Sequence, residues 1–398
     1  MNVTFAELPP LGCVAPVNNR AGWEVRFPVD AHPAAGLWLR DLAVCDVSTA
    51  SVRSYAYDLL RWLRFLYVLE VPWQRADRGH VRDLVEYLRS APNPQRMRRS
   101  ASRAPLGSAN PITGKPYPVA VYAPRTINHQ LSVLSSFYAF AIDADLGPMV
   151  NPVPHQVGRG GGRINAHRNP MQPSTISRRA RYRQKVPKQL PRSIPDDAIE
   201  DLFGALRSNR DRALVSFYLS AGVRASELLG LRLEGVDAGR RTIAVISKGT
   251  RELAVVPASA DAFAWLALYL TETARHGSLA DGRVWHTLRA PYRPLTYHAM
   301  RAVLIRANSA LGTNYSLHDL RHTAAARMAA DPAFTLVDVQ TILRHASIST
   351  TLLYTRPRIE DLVEKVTEHH ARPRPEPRFR VADGYNDAHL RELLGLDE

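Results

Sequence analysis

Apolar residues recur every three or four positions in two stretches of the first 150 residues. In residues 49–69 these positions are Tyr55, Leu59, Trp62, Leu63 and Leu66, and in residues 126–142 they are Ile127, Leu131, Leu134, Tyr138 and Ala141. This spacing places the apolar side chains on one face of an α-helix. Together with a shorter helix near residues 78–90, it predicts a small helical bundle.

The pattern after residue 192 mixes helices with one hairpin. Ser193, a proline and two acidic residues mark a helix start, and residues 210–231 predict two helices separated by a turn at Ala221 and Gly222. Residues 242–257 alternate on either side of Lys248 and predict a β-hairpin with a lysine near its tip. Because residues 260–370 are mostly helical by period, we predict a mainly α fold with a small antiparallel β-sheet.

Basic residues are concentrated in two stretches that contain no acidic residue. Residues 87–142 hold seven lysines and arginines, and residues 159–192 hold ten. Because the whole chain has a formal net charge of +15, the remainder is close to neutral. Such local positive charge is typical of proteins that bind a polyanion, nucleic acid above all. An anionic membrane surface is the alternative partner.

These two stretches supply the candidate DNA-binding residues. The first contains a proline-rich loop, and the second contains "GRGGGR" and "NPMQP" without an apolar period, which predicts a flexible linker. A charged linker that contacts nothing is the alternative. The candidates are Arg96, Arg98, Arg99 and Arg103 in the loop, and Arg178, Arg179, Arg181 and Arg183 in the linker.

A chain of 398 residues exceeds what one hydrophobic core usually supports. We predict an N-terminal extension (1–35), a helical domain (36–150), a basic linker (151–192), a second domain (193–370) and a C-terminal tail (371–398). No apolar run has the length of a membrane span, and the N-terminus lacks the features of a signal peptide. We therefore expect a cytoplasmic protein that does not bind membranes.

Four stretches of the second domain combine cationic side chains with groups that can transfer protons. "AGVRASELLGLR" places Arg224 and Glu227 three residues apart, which predicts a shared helix face, and "LHDLRHTAA" does the same for His318 and Arg321. "SKGTRELAVVP" forms the hairpin, and "LRHASISTTLLYT" ends in a tyrosine. Taken singly, each of these residues has an ordinary structural interpretation, such as a helix salt bridge or a solvated turn.

The order of the four stretches resembles the tyrosine recombinase, or phage integrase, family. The resemblance covers residues 190–368 and implies an α+β catalytic domain, while the helical domain and linker are similar to the family's core-binding (SAM-like) domain and its linker. It also implies site-specific DNA recombination through a 3′-phosphotyrosyl intermediate, with neither ATP nor a metal or other cofactor. The implied catalytic residues are Arg224, Lys248, His318, Arg321, His345 and Tyr354.

The resemblance gives each residue a role that suits its chemistry. Arg224 and Arg321 clamp the scissile phosphate, since guanidinium groups are permanently charged, bidentate donors. Tyr354 is the nucleophile, and Ser347 or Ser349 is expected to start a short helix that returns it towards His345. Lys248 is the general acid for the leaving 5′-oxygen, and His318 and His345 bind or transfer protons around the phosphate. The neighbouring His322 and Arg327 receive no role, and we expect His322 either to support the residues that contact the phosphate or to be structural.

The implied partners are double-stranded recombination sites and other copies of the chain, in a tetramer on DNA. A C-terminal helix with Leu390, Leu393 and Leu394 on one face, capped by Asn386 or Asp387, could dock in a neighbouring subunit or on its own domain. A type IB topoisomerase and a catalytically idle DNA-binding accessory protein are the alternative functions. The sequence leaves open the DNA site, the need for accessory proteins, and the choice among phage integrase, transposon recombinase and dimer resolvase.

Overall fold

The computed structural model describes residues 8–17, 22–94, 105–157, 178–186, 192–247, 251–274, 281–345, 347–354, 359–372 and 386–395. The chain divides into two compact units, of which the first comprises residues 1–189 and 305–315 and the second residues 190–304 and 316–398. Helices dominate the described ranges, and the strands form small antiparallel sheets. The predicted fold class is therefore confirmed.

In residues 22–157, the described part of the first unit contains four helices. They are α1 (Pro33–Val44), α2 (Thr49–Val68), α3 (Arg78–Ser90) and α4 (Pro124–Asp143). The last three confirm the predicted helices, of which α2 and α4 are those that the apolar period predicts. The sequence analysis missed α1 and an antiparallel hairpin of β1 (Cys13–Pro16) and β2 (Trp23–Arg26), which lies within the predicted N-terminal extension. Strands of four residues are too short for a period to be recognised, yet Val25 of β2 is completely buried.

Aromatic residues fill the core of the first unit. Trp62 of α2 donates from Nε1 to the Tyr138 hydroxyl of α4 at 2.8 Å, and that hydroxyl donates to the Trp73 carbonyl at 2.9 Å. Trp38 of α1 packs edge to face on Phe137, with ring centroids 5.5 Å apart. Because the polar atoms of Trp62 and Tyr138 are paired, these rings can be buried without an unsatisfied donor.

The described parts of the predicted linker are folded. Strand β3 (His155–Val157) pairs antiparallel with β4 (Arg178–Ala180). Beyond β4, the Gln184 amide donates to Asn128 Oδ1 of α4 at 2.7 Å, and Asn128 Nδ2 donates to the Gln184 carbonyl at 2.9 Å. Residues 178–186 of the predicted linker thus have backbone pairing and contacts with α4. The apolar period gave no sign of this, because amide hydrogen bonds, and not apolar packing, hold Gln184 on α4.

From residue 192 onwards the described chain contains ten helices and one three-stranded sheet. The helices are α5 (Asp196–Ala205), α6 (Asn209–Ala221), α7 (Ala225–Leu229), α8 (Ala260–Ala274), α9 (Tyr297–Leu311), α10 (Leu317–Ala330), α11 (Leu336–Leu343), α12 (Ile348–Thr351), α13 (Ile359–Ala371) and α14 (Asp387–Leu394). The sheet has the antiparallel order β5 (Val236–Asp237), β6 (Thr242–Ile246), β7 (Leu253–Pro257). Strands β6 and β7 confirm the predicted hairpin. None of the helices in the described ranges has both the length and the apolar character that crossing a membrane requires.

Two features of the second unit position the residues of the candidate site. Trp285 is fully buried and donates from Nε1 to the Leu228 carbonyl at 2.8 Å, which fixes the short helix α7. Helix α6 ends at Gly222, whose φ of 57° lies in the left-handed region. A Cβ at Gly222 would lie 2.5 Å from Leu343 Cδ2, so only glycine allows both this turn and the close approach of α11.

Candidate active site

Arg321 is a buried cation fixed by two backbone carbonyls. Helix α10 is capped by Ser316, whose amide and hydroxyl both donate to Asp319 Oδ2 at 2.7 Å, and Arg321 follows one turn later. The Arg321 guanidinium donates through Nη1 to the Gly222 carbonyl and through Nη2 to the Leu343 carbonyl at 2.5 Å. Burial, together with the neighbouring charge of Arg224, lowers the pKa of Arg321 to about 10, so it stays charged at neutral pH.

Arg224 lies just before helix α7 and not on it. Its backbone is extended, and its amide donates to Glu227 Oε2 at 2.9 Å, which makes Arg224 the residue that precedes the first turn. The predicted shared helix face is therefore wrong, although the predicted pair is present: Arg224 Nη1 donates to Glu227 Oε1 at 2.8 Å. The Arg224 side chain is about one-third exposed, so it can reach a ligand while Glu227 orients it.

Arg344 is a third arginine at this site, which the sequence analysis missed. Its Nη2 donates to Glu227 Oε2 at 2.6 Å, and its carbonyl accepts from Arg224 Nη2 at 3.3 Å. Burial opposes the ionisation of Glu227, but hydrogen bonds from Arg224 and the charge of Arg344 outweigh it and lower the pKa of Glu227 to about 2. Arg344 has a φ of 52°, and this left-handed backbone, which no residue pattern indicates, sets its direction.

His345 is held beside the arginines. Its Nδ1 shares a hydrogen bond of 2.9 Å with Thr351 Oγ1, and Thr351 is completely buried. Burial and the charges of Arg321, Arg224 and Arg344 lower the pKa of His345 to about 4. The imidazole is therefore neutral at pH 7 and can act as a hydrogen-bond donor or acceptor, but it adds no charge.

Tyr354 is brought back to His345 as the sequence analysis expects. Ser347 caps the short helix α12 by accepting from the Ser349 amide, and Tyr354 lies in the turn that follows. The Tyr354 and His345 rings are nearly parallel, with centroids 6.3 Å apart. Tyr354 also packs against the apolar cluster of α10 and α11 that includes Ala324 and Leu343. Burial raises the pKa of Tyr354, opposed by the charge of Arg321, so the phenol is protonated at neutral pH.

His318 and His322 occupy successive turns of α10. Their rings meet edge to face with centroids 4.0 Å apart. His322 Nδ1 forms a short hydrogen bond with the Tyr354 hydroxyl. Of the two expectations for His322, this contact with the candidate nucleophile favours a residue that supports the site over a purely structural one. Its position directly after Arg321 was the available signal, but the contact crosses 32 residues of sequence and depends on the return of the chain after α12.

The remaining predicted catalytic residue, Lys248, lies outside the described residues. The hairpin is described on both sides of it: the Ser247 amide donates to the Glu252 carbonyl at 2.9 Å. Of the candidate DNA-binding residues, Arg96, Arg98, Arg99 and Arg103 also lie outside the described residues. For Arg178 and Arg179, the description covers the backbone in β4.

Arg181 and Arg183 are exposed in the segment that lies along helix α4. Arg183 lines one side of a shallow groove, and Arg125 and His129 of α4 line the other. Asn128, which anchors the segment through Gln184, forms part of the same groove. The groove therefore gathers basic side chains from both acid-free stretches of the sequence.

The site in the second unit combines fixed cations with a phenol that is engaged at its hydroxyl. Arg224, Arg321, His345 and Tyr354 are brought together by α7, α10, α11 and α12, and His318 adjoins them through His322. Guanidinium groups held by carbonyl and carboxylate acceptors cannot reorient freely, so their remaining N–H groups form a preorganised site for an anion. The arrangement is suited to nucleophilic attack by a phenol on a bound phosphate ester.

Comparison with known proteins finds similar sequences in one family. The family model described as "Phage integrase family" matches residues 192–360, and "Phage integrase, N-terminal SAM-like domain" matches residues 36–104. Tyrosine recombinase XerD of Pseudomonas aeruginosa is 33% identical over 204 residues, so that the match spans 46% of this chain and 64%, just under two thirds, of that protein. Tyrosine recombinase XerC of Halalkalibacterium halodurans is 31% identical over 263 residues, which cover 63% of this chain and 77% of that protein.

A solved structure supports the fold. The lambda integrase (75–356) dimer bound to a COC′ core site matches with a TM-score of 0.53 over 82% of this chain and 95% of that chain. Its sequence identity is 14%. At that identity the likeness shows a shared fold, and the chemistry of this chain has to be argued from its own residues.

Proposed function

Because this chain belongs to the phage integrase family of tyrosine recombinases, we propose that it is a site-specific recombinase that cleaves and rejoins double-stranded DNA in the cytoplasm. Tyr354 attacks a phosphodiester and forms a 3′-phosphotyrosyl ester, while the 5′-oxygen leaves. The ester conserves the energy of the broken bond, so that rejoining requires no ATP. The observation that carries this proposal is the Tyr354 hydroxyl engaged beside Arg321, a buried arginine that two backbone carbonyls hold in place.

The electrostatics of the site support this reaction. Attack builds negative charge on the non-bridging phosphate oxygens, and Arg224 and Arg321 are positioned to stabilise that charge. The ionised carboxylate of Glu227 accepts hydrogen bonds from both Arg224 and Arg344, which keeps their guanidinium groups oriented. Lys248, which the sequence pattern predicts near the tip of the hairpin, is our candidate for the acid that protonates the 5′-oxygen, as the family resemblance implies.

Covalent trapping tests the proposal and identifies the DNA site in the same experiment. The protein is incubated with a random library of duplexes that carry nicks, so that cleavage releases a short strand and the adduct cannot be rejoined. Adducts that survive heat and detergent are isolated, and their DNA is sequenced to define the site. We expect wild-type protein to yield adducts at one sequence motif and Tyr354→Phe to yield none, because the substitution removes only the attacking oxygen.

Two controls make that result decisive. Tyr354→Phe should bind the recovered site with unchanged affinity, which shows that its pocket is folded. Exchange of flanking DNA between two fragments with the recovered site then separates a recombinase from a topoisomerase-like enzyme, which would only relax DNA. Adducts with Tyr354→Phe would contradict the assignment of the nucleophile.

We further propose that four copies assemble on two sites and that helix α14 links them. Asn386 caps this helix, and Leu393 and Leu394 are exposed, with Leu393 85% accessible. An eight-residue helix is too short to be stable alone, which favours docking against an apolar groove of another copy. The mass of the complex on DNA with two recovered sites should correspond to four chains. A mass that corresponds to at most one chain per site, with the two sites unpaired, would contradict this.

A further inference from the structure

The Tyr354 hydroxyl has a partner that the sequence analysis did not assign to catalysis. His322 Nδ1 forms a short hydrogen bond with it, and the two rings lie 5.6 Å apart at an angle of 45°. His345, in contrast, stacks on the face of the tyrosine ring and engages Thr351 through its Nδ1. His322 is therefore in direct contact with the reacting oxygen.

We propose that His322 is the general base that accepts the proton of Tyr354 during DNA cleavage. The Tyr354 O–H donates to Nδ1, so the imidazole carries its own proton on Nε2. This inference rests on the proposed function of Tyr354 as nucleophile. It makes His322 a catalytic residue, in addition to His318 and His345 around the phosphate.

The proton balance of the reaction follows from this contact. As the bond between Tyr354 Oη and phosphorus forms, the phenolic proton moves to His322 Nδ1 and leaves an imidazolium. The bond between phosphorus and the 5′-oxygen breaks, and that oxygen takes a proton from a separate acid, for which Lys248 is the candidate. In rejoining, the 5′-hydroxyl attacks phosphorus and gives its proton back to that acid, and His322 returns its proton to Tyr354 as the phosphotyrosyl bond breaks. Each cycle of cleavage and rejoining thus consumes no proton.

The surroundings keep His322 able to accept a proton. Facing it are His318, Asp319 and Arg321 from its own helix, and His345 and Tyr354 from the returning chain. Burial lowers the pKa of His322 to about 4, assisted by interactions with His318, Arg321 and His345 and opposed by the charge of Asp319. The imidazole is thus neutral at pH 7, when its Nδ1 lone pair is available.

A phosphate bound by Arg224 and Arg321 makes it easier for His322 to accept a proton. Its negative charge compensates the arginine charges that disfavour an imidazolium, so the pKa of His322 rises on DNA binding. The phenol also becomes more acidic as its oxygen bonds to phosphorus. Transfer of the Tyr354 proton to His322 therefore becomes favourable once the phosphate is bound. Before that, the phenol keeps its proton.

The test measures the rate of covalent adduct formation on a nicked duplex carrying the site recovered by trapping. We expect His322→Ala to react about 10²- to 10⁴-fold more slowly than wild type, the usual contribution of a general base. His322→Asn separates the proposed role from a positioning role. Its amide oxygen can accept the hydrogen bond near the place of Nδ1, but it cannot take up a proton, so it should be as slow as His322→Ala.

The pH profile is the second measurement. The wild-type rate should fall as pH drops through the pKa of His322 in the DNA complex, because a protonated imidazole cannot accept. Both variants should lack this acid limb, and their deficit should shrink at high pH, where hydroxide can remove the proton. Added imidazole should accelerate His322→Gly in proportion to its concentration, because it can occupy the place of the missing ring.

His298→Ala is the matched control, since His298 is an exposed histidine on α9 whose ring lies against Tyr297. It should react at the wild-type rate. All variants should bind the DNA site with wild-type affinity, which verifies folding. If His322→Asn reacts within threefold of the wild-type rate, His322 is not the general base and has only a positioning role. That result would leave the proposed function intact, whereas the absence of any adduct with wild-type protein would overturn the function itself.

Discussion

The protein uses arginine in two different ways in its two units. In the second unit, Arg321 is 5% exposed and fixed by carbonyls, and Arg224 and Arg344 share the carboxylate of Glu227. In the first unit, Arg181 and Arg183 are exposed along helix α4. The first set offers donors in fixed directions, whereas the second contributes charge whose direction is free. We therefore expect the pocket to determine the rate of the reaction and the basic surface to determine the affinity for DNA.

The two sets also differ in what their burial requires. A buried guanidinium loses its hydration and is retained only when protein acceptors replace the lost hydrogen bonds. Two backbone carbonyls accept hydrogen bonds from Arg321. Glu227, whose pKa of about 2 keeps it ionised, is the acceptor for Arg224 and Arg344. Exposed arginines require no such partners. Substitutions should accordingly have steep, specific effects in the pocket and small, additive effects on the surface.

The largest effect should come from Lys248, a catalytic candidate that the family resemblance implies and that lies outside the described residues. Lys248→Ala should cleave ordinary DNA about 10²- to 10⁴-fold more slowly, because the 5′-oxygen leaves poorly without a proton. On a substrate whose leaving oxygen is replaced by sulfur, the variant should recover, since a thiolate leaves unprotonated. Single-turnover cleavage of both substrates measures this. Equal slowing on the two would remove Lys248 from the role of general acid.

Arg321→Lys should have the next largest effect. Lysine keeps the positive charge but cannot bond two carbonyls and a phosphate with one planar group, so adduct formation should slow by about 10²- to 10³-fold. Arg327→Lys is the matched control on the same helix, because Arg327 is partly exposed and pairs with Asp196 at the surface. The control should retain wild-type rates. If Arg321→Lys also retains the wild-type rate, positive charge alone is sufficient in the pocket, and fixed donor directions are not what distinguishes it from the basic surface.

The smallest effect should come from the linker arginines. Replacing Arg178, Arg179, Arg181 and Arg183 with glutamine should weaken binding to site DNA and unrelated DNA alike, with cleavage of saturated substrate unchanged. Each lost phosphate contact should reduce the slope of log affinity against log salt concentration by about 0.9. Binding titrations from low to moderate salt measure the slope. An unchanged slope would show that this segment does not lie on DNA.

Local sequence determined most of the secondary structure and the types of residue in the pocket. The apolar period of three and four predicted helices α2 and α4, and the alternation around Lys248 predicted β6 and β7, because both patterns depend only on neighbours in the chain. The ordered motifs likewise identified Arg224, His318, Arg321, His345 and Tyr354 as a set. The structure then placed Arg224, Arg321, His345 and Tyr354 together, with His318 adjoining through His322.

Tertiary structure alone decided how those residues are held. The bond from Arg321 to the Gly222 carbonyl spans 99 residues, and the one from His322 to Tyr354 spans 32, so no local pattern contains them. Arg344 reaches Glu227 because of a left-handed backbone, and Gln184 is anchored to Asn128 by amide hydrogen bonds that leave no apolar signature. Contacts between distant segments depend on the packing of whole helices, and that packing made His322 a partner of the nucleophile.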